Sequence, residues 1–188
     1  MKGVADRGSK TLRDMALSMG FIAVVALVLY GMYGMITFSP GAATDGQTPT
    51  ADVTGGFERA EPLVGFTVLV PADLPETWTA NSFSFTDKSA ASTEKPAAVR
   101  GGWLTEQGKF ITVVESNGAV TDVLNAELGA AGSAAGTETV GDADWTVTTG
   151  RRGEAAWFHT ADGVTYLITG SAPAEAFVTL AKALTNPS

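Results

Sequence analysis

The chain has no cysteine and one histidine among 188 residues. Without cysteine no disulfide braces the fold, although an extracytoplasmic location would permit one. A lipid-modified cysteine is excluded as well. One imidazole and no thiolate make a zinc site improbable. The histidine, His159, has no G-x-S-x-G or similar nucleophile turn to serve. The glycine-rich run at 129–136, GAAGSAAG, is not followed by the Lys-Ser/Thr pair of a phosphate-cradling loop. Asp142 and Asp144 stand two apart, but no EF-hand or nonapeptide pattern surrounds them. They read as a solvated turn before a strand.

Positive charge is also scarce. Of 12 basic and 20 acidic residues, four and two lie in the first 14 positions. The remainder carries 8 basic and 18 acidic residues, a formal charge of −10. Such a surface repels phosphate backbones, so no nucleic-acid partner is expected. It also argues against lying flat on anionic lipid. Arg151 and Arg152 form the only basic pair beyond the first 14 positions. Set between Gly150 and Gly153, they belong at an exposed hairpin tip. There they either stay solvated or meet an anionic group on a partner.

What the chain does have is one long apolar run. Residues 15–38, MALSMGFIAVVALVLYGMYGMITF, contain no charge. As an α-helix at ~1.5 Å per residue this run reaches roughly 36 Å, beyond the ~30 Å hydrocarbon core of a bilayer. Lys2, Arg7, Lys10 and Arg13 precede it. The excess of Lys and Arg predicts a cytoplasmic tail at 1–14, a transmembrane helix at 15–38 and an extracytoplasmic remainder. The rival is a cleaved signal peptide. Its basic start is present, but the apolar core is too long and Met35, Ile36, Thr37 and Phe38 make a poor cleavage site. Ala16, Gly20, Ala23, Gly31 and Gly34 fall within roughly an 80° arc of that helix, a stripe of small residues that lets a second helix approach closely. Leu27 interrupts the stripe, and Gly and Ala are common in membrane helices in any case.

Residues 39–61 hold SPGAATDGQTPTADVTGG and read as a flexible linker, since small polar residues with Gly and Pro bury little apolar area. From 62 to 188 the pattern is that of a folded domain. Strands are predicted at 63–70, 78–86, 98–105, 110–116, 144–149, 154–160 and 164–169. Asp162 and Gly163 mark a hairpin turn. Val120, Val123, Leu124 and Leu128 recur at helical spacing, as do Phe177, Leu180, Ala181 and Leu184. Ser171 is a candidate cap for the second of these helices, with Pro173 in its first turn. Runs of strands broken by single helices predict an α+β domain with a mostly antiparallel sheet and two helices.

Several short motifs together resemble one family. They are Arg13-Asp14-Met15 before the apolar run, Phe38-Ser39-Pro40 after it, and Leu74-Pro75-Glu76-Thr77-Trp78. Gly141-Asp142-Ala143-Asp144-Trp145 and Thr169-Gly170-Ser171 add to them. The chain is similar to actinobacterial membrane proteins catalogued as domain of unknown function 4245 (DUF4245). That resemblance implies a single-pass anchor and an extracytoplasmic domain. It carries no known activity and no catalytic motif. The order of elements is also similar to PsbP-like domains, which are binding or assembly modules, an analogy of fold alone.

Four tryptophans, Trp78, Trp103, Trp145 and Trp157, are many for such a domain. Tryptophan dominates interface hot spots and lines glycan grooves, and it is equally an ordinary core residue. Trp78 and Trp103, with Arg151 and Arg152, are candidate interface residues. The leading expectation is a non-enzymatic binding or accessory module, with no cofactor or metal. It would be held in the cell membrane and dock on another membrane protein or envelope complex. A small-ligand or cell-wall glycan binder is the alternative, and a hydrolase built around His159 the more remote one. In its strand His159 shares a face with Ala155 and Trp157, the setting of an ordinary half-buried residue.

Overall fold

The computed structural model describes residues 50–92, 95–129 and 134–185, together with Met15, Ser18 and Met19. The chain forms two compact units, Met1–Gln47 and Thr48–Ser188. In the first, Met15, Ser18 and Met19 are helical, and the Ser18 hydroxyl donates to the Met15 carbonyl at 2.9 Å. The rest of the apolar run lies outside the described residues, as does the stripe Ala16, Gly20, Ala23, Gly31 and Gly34. Among the described residues no helix is long and apolar enough to cross a membrane.

The second unit is α+β. Its elements in chain order are α1 (Val53–Val64), β1 (Thr79–Thr86), β2 (Ala98–Leu104), β3 (Phe110–Ser116), α2 (Val120–Leu128), β4 (Gly136–Val140), β5 (Ala143–Thr149), β6 (Ala155–Ala161), β7 (Val164–Gly170) and α3 (Ala174–Thr185). The seven strands make one sheet in the order β1-β2-β3-β7-β6-β5-β4, and every neighbouring pair is antiparallel. Because side chains alternate along a strand, each face collects every second residue. Val99, Trp103, Ile111, Val113, Trp145, Trp157, Tyr166 and Ile168 face α1 and α3 and form the main core. Ala98, Val114, Ala156 and Leu167 face α2 and pack with Val123, Leu124 and Leu128.

The helix α1 corrects two expectations, a linker running to residue 61 and a strand at 63–70. Val53, Gly56, Phe57, Ala60 and Val64 are its buried residues, one stripe at helical spacing. Asp52 caps it by accepting from the Gly55 amide at 3.0 Å, and it stops at Gly65 in the left-handed conformation. Gly56, the second of the glycine pair that reads as linker, is a packing device. A Cβ on Gly101 of β2 would stand 2.4 Å from the Phe57 ring, and one on Gly56 would stand 2.6 Å from Phe83. Bare backbone on both sides lets the helix sit close to the sheet. Pro62 falls near the end of α1, where one lost amide bond matters little.

Residues 65–70 then run without ladder partners. The Val68 amide donates to Glu61 Oε1 at 3.4 Å and the Leu69 amide to Glu115 Oε2 at 2.8 Å. Carboxylates do here what a neighbouring strand does elsewhere. The folded unit therefore has three helices rather than two. The strand total of seven agrees with expectation through compensating differences, since the strand at 63–70 is absent and β4 adds one at Gly136–Val140, where none is predicted. Ser171 does not cap α3. Its amide and hydroxyl exchange hydrogen bonds with the Phe110 backbone, at 2.8 and 3.2 Å, extending the β3–β7 ladder.

Candidate ligand pocket

Two tight turns and one irregular segment bring polar groups together at one end of the sheet. The β6–β7 turn holds Asp162 (φ 52°) and Gly163 (φ 76°), two left-handed residues that match the right-handed twist of a hairpin. The β4–β5 turn holds Gly141 and Asp142. Residues 65–69 follow α1, and the Leu69 amide ties them to Glu115 of β3. With Asn117 beyond β3 and Leu184 of α3, they enclose a cavity of about 770 Å3. That volume suits a small organic molecule, for which pockets of roughly 300–1,000 Å3 are usual.

The wall belonging to the sheet is a row of paired residues. Glu115 of β3 stands opposite Tyr166 of β7, and Tyr166 stands opposite His159 of β6. The His159 and Tyr166 rings stack at 6.4 Å, and on the other side His159 lies 5.6 Å from the Trp145 ring. Tyr166, His159 and Trp145 line the cavity together with Phe66. His159 Nδ1 lies 3.0 Å from the Asp144 carbonyl oxygen. A carbonyl only accepts, so Nδ1 carries the proton and Nε2 is the nitrogen left to meet a ligand. A backbone carbonyl thus occupies the place that a carboxylate takes in a hydrolytic triad.

Two buried polar atoms stand out. Trp145 is 1 % exposed, and its indole N–H has no acceptor among the described residues. Glu115 is fully buried at the end of the row, outside the cavity lining, and its Oε1 has no hydrogen-bond partner among the described residues. Burial raises the Glu115 carboxyl to about 8, opposed by the Leu69 amide and reinforced by the nearby Glu61 charge. Burial likewise pushes the Tyr166 phenol to about 12, with Glu115 and Asp162 adding to the effect.

The candidate residues read from sequence are dispersed. Trp103 is 6 % exposed in the main core, which removes it from any outer face, a correction to its candidacy as an interface residue. Trp78 is half-buried and packs against the same core. Trp145 and Trp157 are core residues too. A groove of exposed tryptophans is therefore not present among the described residues. Arg151 and Arg152 do sit exposed at the β5–β6 tip, where the Arg152 amide donates to Glu154 Oε2 at 2.9 Å. Asp144 accepts from the Thr139 hydroxyl at 2.7 Å, while Asp142 faces the cavity. Among the described residues no group of three or more His, Asp or Glu is placed to hold a metal ion.

His159 is the one singled-out residue that joins the pocket as a group able to act. Glu115 and Tyr166 escape a motif-based reading. The signal for Glu115 is its place in FITVVES, where the alternation that turns Ile111 and Val113 inward turns Glu115 inward as well.

The fold and the pocket define a single-sheet α+β domain with a cavity at one end of its strands. No curated protein and no solved structure matches the chain. A family model does match: residues 7–184 fit the protein family of unknown function DUF4245, and the chain belongs to that family.

Proposed function

We propose that this protein is a non-enzymatic, membrane-tethered binding module whose extracytoplasmic domain holds a small ligand in the cavity beside His159 and Tyr166. The observation that carries the reading is the cavity itself. It combines about 770 Å3 of space with aromatic walls and a few convergent polar groups, the usual makeup of a ligand site. The uncharged run at 15–38, with its basic flank, supports the tether and its orientation. Binding a ligand outside the membrane would suit a subunit that reports to, or loads, a membrane complex.

The test is a library of small fragments of mixed charge, added to the full-length chain in nonionic detergent. Binding is read from the indole N–H resonance of Trp145, assigned by its loss in Trp145→Phe. At least one fragment should shift that resonance, and Thr67→Trp, at the exposed mouth, should block it. A library in which no compound moves the signal overturns the pocket reading. Protease added to intact spheroplasts should remove the domain, and full protection of the domain would overturn the orientation.

A second reading, docking on a partner protein, draws on one observation. Leu63 and Phe85 are 40 % and 43 % exposed, and the Leu63 carbonyl accepts from the Lys88 amide just beyond β1. Two exposed apolar side chains beside an edge strand suit a protein contact.

A further inference from the structure

The cavity is unequal in charge. Asp142 and Asp162, both exposed, place two carboxylates at its mouth, each fixed by its own tight turn. Among the described residues no lysine or arginine lines it. Lys88 packs its methylenes against Gly65 at one margin and is not part of the lining. The walls include the rings of Phe66, Trp145 and Tyr166, whose faces attract cations, and the His159 ring beside them. Asp142, Asp162 and His159 Nε2 are all acceptors, and a ligand that satisfies them must donate.

We infer that the pocket takes a small organic cation, an ammonium compound with an aromatic or apolar body. The inference rests on the pocket reading above and narrows it to a ligand class. The ammonium group lies toward Asp142 and Asp162 at the mouth, and its N–H bonds reach the carboxylates and His159 Nε2. The body of the ligand lies against the rings of Phe66, Trp145 and Tyr166. A carboxylate ligand is disfavoured twice, by repulsion at the mouth and by the acidic balance of the whole domain. A neutral compound of the same shape keeps the aromatic contacts and loses the charge pairing.

Three phenols of similar size separate these terms: tyramine, para-ethylphenol and para-hydroxyphenylacetate. Each is titrated into the full-length chain in nonionic detergent at pH 7 and followed at the Trp145 indole resonance. Tyramine should bind at least about fivefold more tightly than para-ethylphenol, a margin that two part-exposed ion pairs supply. Para-hydroxyphenylacetate should bind more weakly than para-ethylphenol. Asp142→Asn combined with Asp162→Asn should erase the tyramine margin. Asn tolerates the left-handed turn at 162, so the fold survives the change. Raising salt should weaken tyramine alone. If para-ethylphenol or the anion matches tyramine, or if the double variant keeps the margin, the ligand class is wrong while the pocket reading stands. If none of the three phenols and no library fragment moves the Trp145 signal, the pocket reading fails and the class falls with it.

Discussion

The two faces of the sheet treat a carboxyl withdrawn from water in opposite ways, one part-buried and one fully buried. On the α2 face, Glu127 meets Arg100, whose Nε donates to Glu127 Oε1 at 2.9 Å while its Nη1 donates to Thr86 at 3.2 Å. A cation and its hydrogen bonds offset the desolvation of that carboxylate. On the α1 and α3 face, Glu115 has one amide and, among the described residues, no cation. The first face is a closed structural contact. The second keeps an unneutralised acid at the end of the row that walls a ligand-sized cavity. Polar groups with structural partners mark where the fold is finished, and unpaired ones mark where something else is accommodated.

The largest effect should come from closing the gap that α1 needs. Gly101→Val places a branched side chain where even a Cβ would stand 2.4 Å from the Phe57 ring. We expect a loss of about 4 kcal/mol or more in urea unfolding, or failure to fold, because a packed core does not make room. A fully stable variant would show that α1 is loosely seated and that the two faces do not differ in the way described.

The sharpest contrast is carboxyl-to-amide exchange on each face. Glu115 has a raised folded value, about 8 against an ordinary 4.5. Between those values the folded state holds a proton that the unfolded state has lost. Stability from this group therefore falls as pH rises from about 4.5 to 8, and the penalty is complete above 8. Glu115→Gln keeps the acceptor for Leu69 and removes the titration. It should stabilise the protein at pH 8.5 by on the order of 2–4 kcal/mol and flatten the urea midpoint between pH 5 and 8. Glu127→Gln should act in the other direction, costing about 2 kcal/mol by leaving the Arg100 guanidinium part-buried without its charge partner. If both exchanges have the same sign at pH 8.5, the contrast between the faces is broken.

The smallest effect belongs to a neutral group on the α2 side. The buried Ser116 hydroxyl donates to the Ala97 carbonyl at 2.6 Å and accepts from the Gly118 amide at 3.1 Å. Ser116→Ala should cost about 1 kcal/mol in urea unfolding, with no change in ligand response at the Trp145 resonance. A shift in that response would mean the faces are coupled through β3.

Much of the sheet is legible in the chain because hairpins are local. The Asp162-Gly163 turn, the turn at 106–109 and the alternation in β2, β3, β6 and β7 are read from neighbours in sequence. The helix α1 is not, since Gly55, Gly56 and Pro62 all argue against helix on local grounds. Its stability comes from Phe57 seated over Gly101, some 44 positions away. The low-complexity stretch before β4 hides a strand for a similar reason. That strand exists because β5 supplies its ladder, from Gly136 opposite Val147 to Val140 opposite Ala143.

By itself the sequence determined the α+β class, the antiparallel hairpins, the acidic surface and the family, because each depends on composition, periodicity or short motifs. The tertiary structure alone decided that α1 folds onto β1 and β2, that Trp103 is interior, and that Glu115 is buried with no cation among the described residues. It also decided that Phe66, Asp142, Trp145, His159, Asp162 and Tyr166 surround one cavity. Those residues are separated by as much as a hundred positions, and only the pairing of strands and the seating of α1 bring them together. A pocket is a relation between distant parts of a chain, and no local pattern encodes the distance between them.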